Sequence, residues 1–345
     1  MKITRFERTP VCVPFLPGIL PPPEYQEFNP MYPEPLSQRR QDVLRIHTDA
    51  GLSGIGMSGP YFGEREEPAP DEWSGKNPLE FEPRSLRGGG YSMALLDLIG
   101  KAVGWPLYRI FGGKAQDRVL VDYWMQRMGP EDSAATARRA AEQGFHGIKI
   151  KCKLEDDVTQ RIHAMHEAAP NLRIVLDPKE RFYSVQQALA LARQIEAYDI
   201  LFEDPIPKDD YEDYRRLKEG TSVLITLHLQ NPQQVIKAVN MQAVDGINVA
   251  PSDWGFLDMA KIAEAAGLPV WQASNVDNGP FDVFRLHASA AAANCTLGSD
   301  MCGNFVHQHS LLARPLVEDG YAVVPDGPGL GIELDEEAVQ EYAVG

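Results

Sequence analysis

The sequence predicts a parallel (β/α) barrel carrying a cap built from both chain ends. From Val119 onward, short apolar runs alternate with helical stretches at roughly 25-residue spacing, the rhythm of strand and crossover helix. No G-x-G-x-x-G follows any of these runs, which argues against a doubly wound dinucleotide fold. Both ends depart from the rhythm, and 345 residues suit a barrel with an appendage better than one ordinary domain. The expected division is an α+β capping domain over 1–118, completed by the tail 311–345, and a barrel over 119–310.

The opening residues read as β-structure. Lys2–Pro10 and Val43–His47 alternate, and Gly51–Gly54 turns the chain before another short strand. Between them, eight prolines from Pro14 to Pro35 exclude helix and central strand, because proline removes a donor and fixes φ. Phe15, Leu16, Ile19, Leu20, Tyr25, Phe28, Met31 and Tyr32 make this segment too apolar for a disordered linker, so an ordered loop over a surface or site is expected. Residues 60–90 read as acidic loop. Tyr91–Phe111 follows as helix, divided near Gly104 and Pro106 and stopped by Gly112–Gly113.

The strands expected in the barrel are Val119–Tyr123, Gly147–Lys151, Ile174–Asp177, Ile200–Glu203, Val223–Thr226, Gly246–Val249, Val270–Ala273 and Cys295–Leu297. Helices are expected at Ser133–Gln143, Asp156–Ala168, Val185–Glu196, Asp210–Lys218, Pro232–Val239, Leu257–Ala266 and Phe281–Ala293. The turn-rich tail reads as running back onto the N-terminal module.

Composition narrows the function. With 33 basic and 49 acidic residues the chain carries a formal charge of −16, which disfavours phosphate backbones and anionic lipid. Nucleic acid and membrane are therefore not expected as partners. Cys12, Cys152, Cys295 and Cys302 show no metal or redox spacing, a reduced pattern that points to the cytoplasm. No apolar run approaches the roughly 18 residues of a bilayer span.

In a parallel barrel the reacting groups sit at the C-terminal ends of the strands. Lys149 and Lys151 end the second strand and alternate with apolar neighbours, so both leave one face. Facing inward, two crowded ammonium groups lower a lysine pKa and yield a base near neutrality; on an edge they are an ordinary solvated pair. Asp177 and Glu203 end the next two strands. Two carboxylates there suit a divalent cation, or alternatively a plain salt-bridge network with the lysines.

Taken together these residues resemble the enolase superfamily, in its mandelate racemase/muconate lactonizing enzyme branch. The resemblance spans nearly the whole chain: ALLDLIGKAVGWPLYRIFGG (94–113), KIK (149–151), LDP (176–178), FEDP (202–205) and VEDGYAVVPDGPGLGIEL (317–334). It implies a modified (β/α)₇β barrel under an α+β cap. The implied chemistry is removal of the proton α to a carboxylate, with a divalent metal stabilising the enediolate. On this resemblance Lys151 is the base, Lys149 tunes it and touches the substrate carboxylate, and Asp177 and Glu203 bind the metal. Asp300 stands where a carboxylic acid follows the last strand, unless it merely caps a turn. Pro17–Tyr32 and Gly51–Gly59 match the loops that set specificity.

The pattern also departs from the family. Strand five should bring a third acidic ligand, and ITLHL places His228 there, either as an imidazole ligand or as a packed histidine. An imidazole shifts preference from Mg²⁺ toward Mn²⁺, Fe²⁺ or Zn²⁺. The opposing base is missing: Ala273, Ala250 and Asp253 stand at its positions, and Asp253 reads as an acid or as a solvated loop residue. Arg181, after strand three, is a candidate clamp for a polar substrate. The expected activity is a metal-dependent dehydratase of a small hydroxy acid or sugar acid, with Mg²⁺ as the expected cofactor and Asp253, His228 or Lys151 as the acid. A carboxylate isomerase (racemase, epimerase or cycloisomerase) and a non-catalytic carboxylate-binding descendant are the alternatives. The resemblance further implies a homo-oligomer.

Overall fold

The computed structural model describes residues 1–25, 36–61 and 68–345. Strands β1 (Ile3–Val11), β2 (Gln41–Thr48) and β3 (Ser53–Met57) form an antiparallel sheet in that order. Helix α1 (Gly90–Val103) lies on β3. Gly54 and Gly56 permit this closeness: a Cβ on either would stand 2.0 Å from a carbonyl oxygen of α1, on Ala94 and Gly90 respectively. The stretch Gly51–Gly59, expected as a specificity loop, is thus largely a strand under a helix. A left-handed Gly104 ends α1, and Pro106 precedes the short α2 (Leu107–Ile110), the division expected from sequence.

Next come β4 (Arg118–Leu120) and β5 (Tyr123–Met125), and here the expected first barrel strand proves to be two. β4 pairs with the tail, and only β5 joins the parallel sheet. The elements that follow are α3 (Pro130–Glu142), β6 (Gly147–Lys151), α4 (Val158–Ala168), β7 (Arg173–Asp177), α5 (Val185–Ile195), β8 (Ile200–Glu203) and α6 (Tyr211–Glu219). After them come β9 (Leu224–Leu229), α7 (Pro232–Asn240), β10 (Gly246–Val249), α8 (Trp254–Ala265), β11 (Val270–Gln272) and α9 (Pro280–Ala290). Strands β5 to β11 make one seven-stranded parallel sheet in chain order. Polar residues start its helices as N-caps: Asp157, Ser184, Asp210, Asn231 and Asp253 each accept a backbone N–H of the first turn.

The expected eighth strand, Cys295–Leu297, is not a regular strand. The segment still closes the gap through isolated bridges, Cys295 to Val270 on one side and Ser299 to Val121 on the other. Ser299 donates its N–H to Leu120 O and accepts that of Asp122, while Asp300 donates to Gln272 O. Helix α10 (Gly303–Val306) leads to the tail strands β12 (Val317–Glu318) and β13 (Tyr321–Val323), then α11 (Glu336–Glu341). β13 pairs antiparallel with β4, and Val344 donates its N–H to Pro10 O, so the tail does run back onto the N-terminal sheet.

Alternation divides the sheet into two faces. Ile148, Ile150, Leu176 and Phe202 pack in the main core. Val175, Leu201 and Trp271, with Leu224 and Leu297 against them, form a separate apolar cluster inside the barrel. All four cysteine thiols are free. No helix among the described residues is long and apolar enough to cross a membrane.

Candidate active site

The polar residues at the strand ends gather in a single network. Lys149, buried on β6, places its Nζ 2.7 Å from Glu203 Oε2, 2.7 Å from Asp300 Oδ2 and 3.4 Å from Asp177 Oδ2. Lys151, two residues on and nearer solvent, donates a short hydrogen bond to Asp177 Oδ2. The two lysines share a face, as the KIK alternation requires. The expectation that Lys149 meets the substrate carboxylate is not matched by its position, because its ammonium is already enclosed by three carboxylates.

Electrostatics separate the two lysines further. Burial pulls Lys151 below the usual lysine range; Lys179 and Lys149 add to that, and Asp177 opposes it. Lys149 is held well above that range, since Asp300, Glu203 and Asp177 outweigh its burial. Asp177 lies well below the usual carboxylate range: burial opposes, but Lys151, Lys179 and Lys149 prevail. Glu203 is lowered by Lys149 against its burial, while burial pushes Asp300 up.

His228 lies beside this network, with Nδ1 3.9 Å from Glu203 Oε1. Burial pulls it down to about 3, so the imidazole is neutral. Its backbone N–H donates to Asp204 Oδ1 (2.9 Å), and Lys208 Nζ donates to Asp204 Oδ2 (2.9 Å). Asp253 is placed differently. Its Oδ1 accepts Gly255 N–H at the start of α8, and its Oδ2 accepts Gly88 N–H from the cap. Both oxygens are committed to backbone groups, which makes Asp253 a helix cap that ties the two modules together. Arg181 Nε donates to Pro178 O within its own loop.

Sequence reasoning missed Asn248, and it placed Lys179 near the mouth only as one of the cations of the segment 178–181. Asn248 on β10 donates Nδ2 to Asp300 Oδ2 (3.2 Å), and a polar residue in the otherwise apolar GINV was the available signal. Lys179 places its Nζ 3.5 Å from Asp177 Oδ2, and Asp177 in turn holds that ammonium above its ordinary range. The proline-rich segment reaches this side of the barrel. Tyr25 O accepts from Arg127, whose guanidinium also pairs with Asp156, and the Phe15 ring stacks on His307. Its residues Phe28, Met31 and Tyr32 lie outside the described residues.

A divalent ion would need the expected set of Asp177, Glu203 and His228 to converge. Among the described residues, no three His, Cys, Asp or Glu side chains do so closely enough to hold an ion. Asp177 Oδ2 is met by three lysine nitrogens, and the strand-five donor is an imidazole rather than the carboxylate that a Mg²⁺ site favours. The donor set therefore does not fit a divalent site as it stands. Glu203 Oε2 is met only by the Lys149 ammonium, while its buried Oε1 and Asn248 Oδ1 accept no hydrogen bond. Such acceptors are costly to bury unless a ligand supplies the donor.

A capped parallel barrel whose mouth holds two adjacent lysines among carboxylates defines a class of enzymes acting on small carboxylates. The chain belongs to the enolase superfamily: its residues 132–338 match the family model described as "Enolase C-terminal domain-like". It is similar to a D-galactonate dehydratase family member of Enterococcus gallinarum, with 23% identity over 73% of this chain and 71% of that protein. It is also similar to a hydrophobic dipeptide epimerase of Citrifermentans bemidjiense, with 30% identity over 70% of each chain. Among solved structures, a dipeptide epimerase from Enterococcus faecalis V583, complexed with Mg and the dipeptide L-Leu-L-Tyr, superposes with a TM-score of 0.76 at 21% identity. That match covers 96% of this chain and all of the other. The neighbours carry the same capped-barrel architecture, and the relatives include both dehydratases and isomerases.

Proposed function

We propose that the protein is a lyase that dehydrates a small hydroxy acid or sugar acid by a one-base route centred on Lys151. The observation that carries this reading is the contrast along one strand. Lys149 is locked as a cation by three carboxylates, while Lys151, one step nearer the mouth, is held below the usual lysine range. A lysine held below its usual range is closer to a usable general base than an ordinary lysine.

In this route neutral Lys151 removes the proton α to the carboxylate, and the C–H electron pair enters the enediolate. The β C–O bond then breaks, with its electron pair leaving on oxygen. Lys151 returns the proton to that oxygen on the same face, so water departs and the enol product tautomerises to a 2-keto acid. Lys149 acts as a positioning residue that fixes Glu203, Asp300 and Asp177. Glu203 Oε1, which accepts no hydrogen bond, suits a hydroxyl group of such a substrate, which supplies the missing donor.

The positions where an opposing base would stand favour one base over two. Ala250 and Ala273 carry no proton acceptor, and both oxygens of Asp253 are taken by backbone N–H groups, so the second base of a symmetric racemase is missing. The acid attributed to Asp253 is not needed, and neutral His228 is a weak donor. The test is ¹H NMR of aldonic and other 2-hydroxy acids in D₂O, with parallel detection of 2-keto acid. Exchange at the α-carbon together with keto-acid release is expected, and both should vanish in Lys151→Met. A wild type that exchanges no α-proton across such a panel would remove the reading.

A further inference from the structure

The loop after β7 is built in an uncommon way. Lys179 and Glu180 are consecutive non-glycine residues with φ of 51° and 68°, in the left-handed region where side chains are strained. Asp204, after β8, shares that conformation with φ 46°. The strain is held by hydrogen bonds. Lys179 N–H donates to Asp177 Oδ1 (3.3 Å), Glu180 N–H to Asp204 O (2.7 Å) and Phe182 N–H to Pro205 O (2.9 Å). The strand ends of β7 and β8 thus clamp a turn whose product is the direction of one side chain. That side chain returns its ammonium to 3.5 Å from Asp177 Oδ2, while half of its surface remains open to solvent at the mouth.

The same carboxylate oxygen already receives Lys151 and lies 3.4 Å from Lys149. A divalent cation at Asp177 would face the ammonium groups of Lys149 and Lys179 as well as the Lys151 amine, with only Glu203 as a second anionic ligand and an imidazole as the third. Mg²⁺ requires an octahedron of oxygen donors and gains little from such a set, and the Coulomb term opposes it. The positive charge needed at the mouth is already present as a lysine.

We propose that Lys179 is the built-in cation of this site, receiving the substrate carboxylate and stabilising its enediolate in the position a divalent ion would otherwise hold. The proposal rests on the reading of Lys151 as base. Lys151 takes the α-proton, the former C–H pair gives the carboxylate a second negative charge, and the Lys179 ammonium balances it with Lys149 beneath. Preorganised positive charge placed where the new negative charge develops is an effective form of such stabilisation.

Metal binding tests this separately from turnover. Protein stripped with chelator is titrated calorimetrically with MgCl₂ and with MnCl₂, as wild type, as Lys179→Met and as the double variant Lys179→Asn with His228→Asp. The wild type is expected to show no saturable one-to-one binding at millimolar metal. The double variant exchanges an ammonium for a neutral amide and adds a carboxylate, and should bind Mn²⁺ at least about 100-fold more tightly. Lys179→Met, still folded by circular dichroism, should lose α-proton exchange that the stripped wild type performs in EDTA. Saturable submillimolar Mg²⁺ binding by the wild type, or equal affinity in wild type and double variant, would overturn the assignment of Lys179. Absent exchange in the wild type removes the Lys151 reading instead, whatever the calorimetry gives.

Discussion

Lys149 and Lys151 stand two residues apart on one strand, and the structure gives them opposite duties that substitution can separate. Lys149→Met removes the ammonium 2.7 Å from both Glu203 and Asp300 and leaves three buried carboxylates confronting one another. Breaking a buried ion pair on one side costs about 3–5 kcal/mol. For a chain of 345 residues each kcal/mol moves Tm by roughly 1.4 °C, so a fall of about 4–7 °C is expected. Lys151→Met takes away only one of the lysines on Asp177, which keeps Lys149 at 3.4 Å and Lys179 at 3.5 Å. Its loss should stay within about 1 kcal/mol, a Tm change within about 2 °C. The activities should divide the other way, with Lys151→Met folded and devoid of α-proton exchange. Calorimetric melts and NMR exchange on the same preparations read both quantities. Equal thermal losses in the two variants, or exchange retained in Lys151→Met, would refute this division of roles.

Further predictions concern the supports of the site. Asp253→Ala should lower stability by about 1–2 kcal/mol, as loss of an N-cap does, and leave the exchange rate within about twofold of wild type, read by melts and NMR. Gly56→Ala sets a Cβ 2.0 Å from Gly90 O and should cost about 3 kcal/mol or more by urea denaturation, with α1 displaced from its sheet. Asp97, buried on α1, accepts from Ile55 N–H, Leu330 N–H and Lys101, so Asp97→Ala should cost about 3–5 kcal/mol and open the tail to proteolysis. His287 is bonded at both nitrogens, to Leu330 O and Tyr108 N–H, and burial pulls it down to about 4. The unfolded chain therefore binds this proton first, and stability should fall as pH drops from about 6.5 toward 4, by about 3 kcal/mol for this residue. Urea titrations between pH 7 and 4.5 should show that slope, shallower in His287→Gln.

What the sequence disclosed was what neighbours along the chain determine. β6 was legible to its ends because Lys149 and Lys151 alternate with Ile148 and Ile150 between a glycine and a loop, and β8 and β10 likewise carry their boundaries in local pattern. Val119–Tyr123 reads as one apolar strand, yet its first half is claimed by Tyr321–Val323, about 200 residues away, a pairing no local pattern contains. The short strand after Gly51 was legible, but the resemblance assigned Gly51–Gly59 to a specificity loop, whereas Gly54 and Gly56 admit the backbone of α1. The site shows the same boundary. Asp177, Glu203 and Asp300 were visible as acids at strand ends. The commitment of Asp253 to Gly88 depends on how the cap docks, and the return of Lys179 to Asp177 depends on a left-handed turn that lysine does not announce.

Charge explains why this turn matters. The chain as a whole is strongly negative, so an anionic substrate must meet its cations at short range, within the mouth. Beneath the mouth, Val175, Leu201 and Trp271 make a dry floor, and low polarity there strengthens every pair while penalising any charge left alone. Lys149 cannot leave, because Glu203 and Asp300 would lose their partner. Lys151 must be free to exchange a proton. Lys179 is the cation with half its surface in solvent, and Asp177 retains the Lys149 ammonium and the Lys151 amine when Lys179 turns away. A substrate carboxylate can therefore be received at Lys179 without stranding a buried carboxylate, a rearrangement that neither lysine of β6 permits.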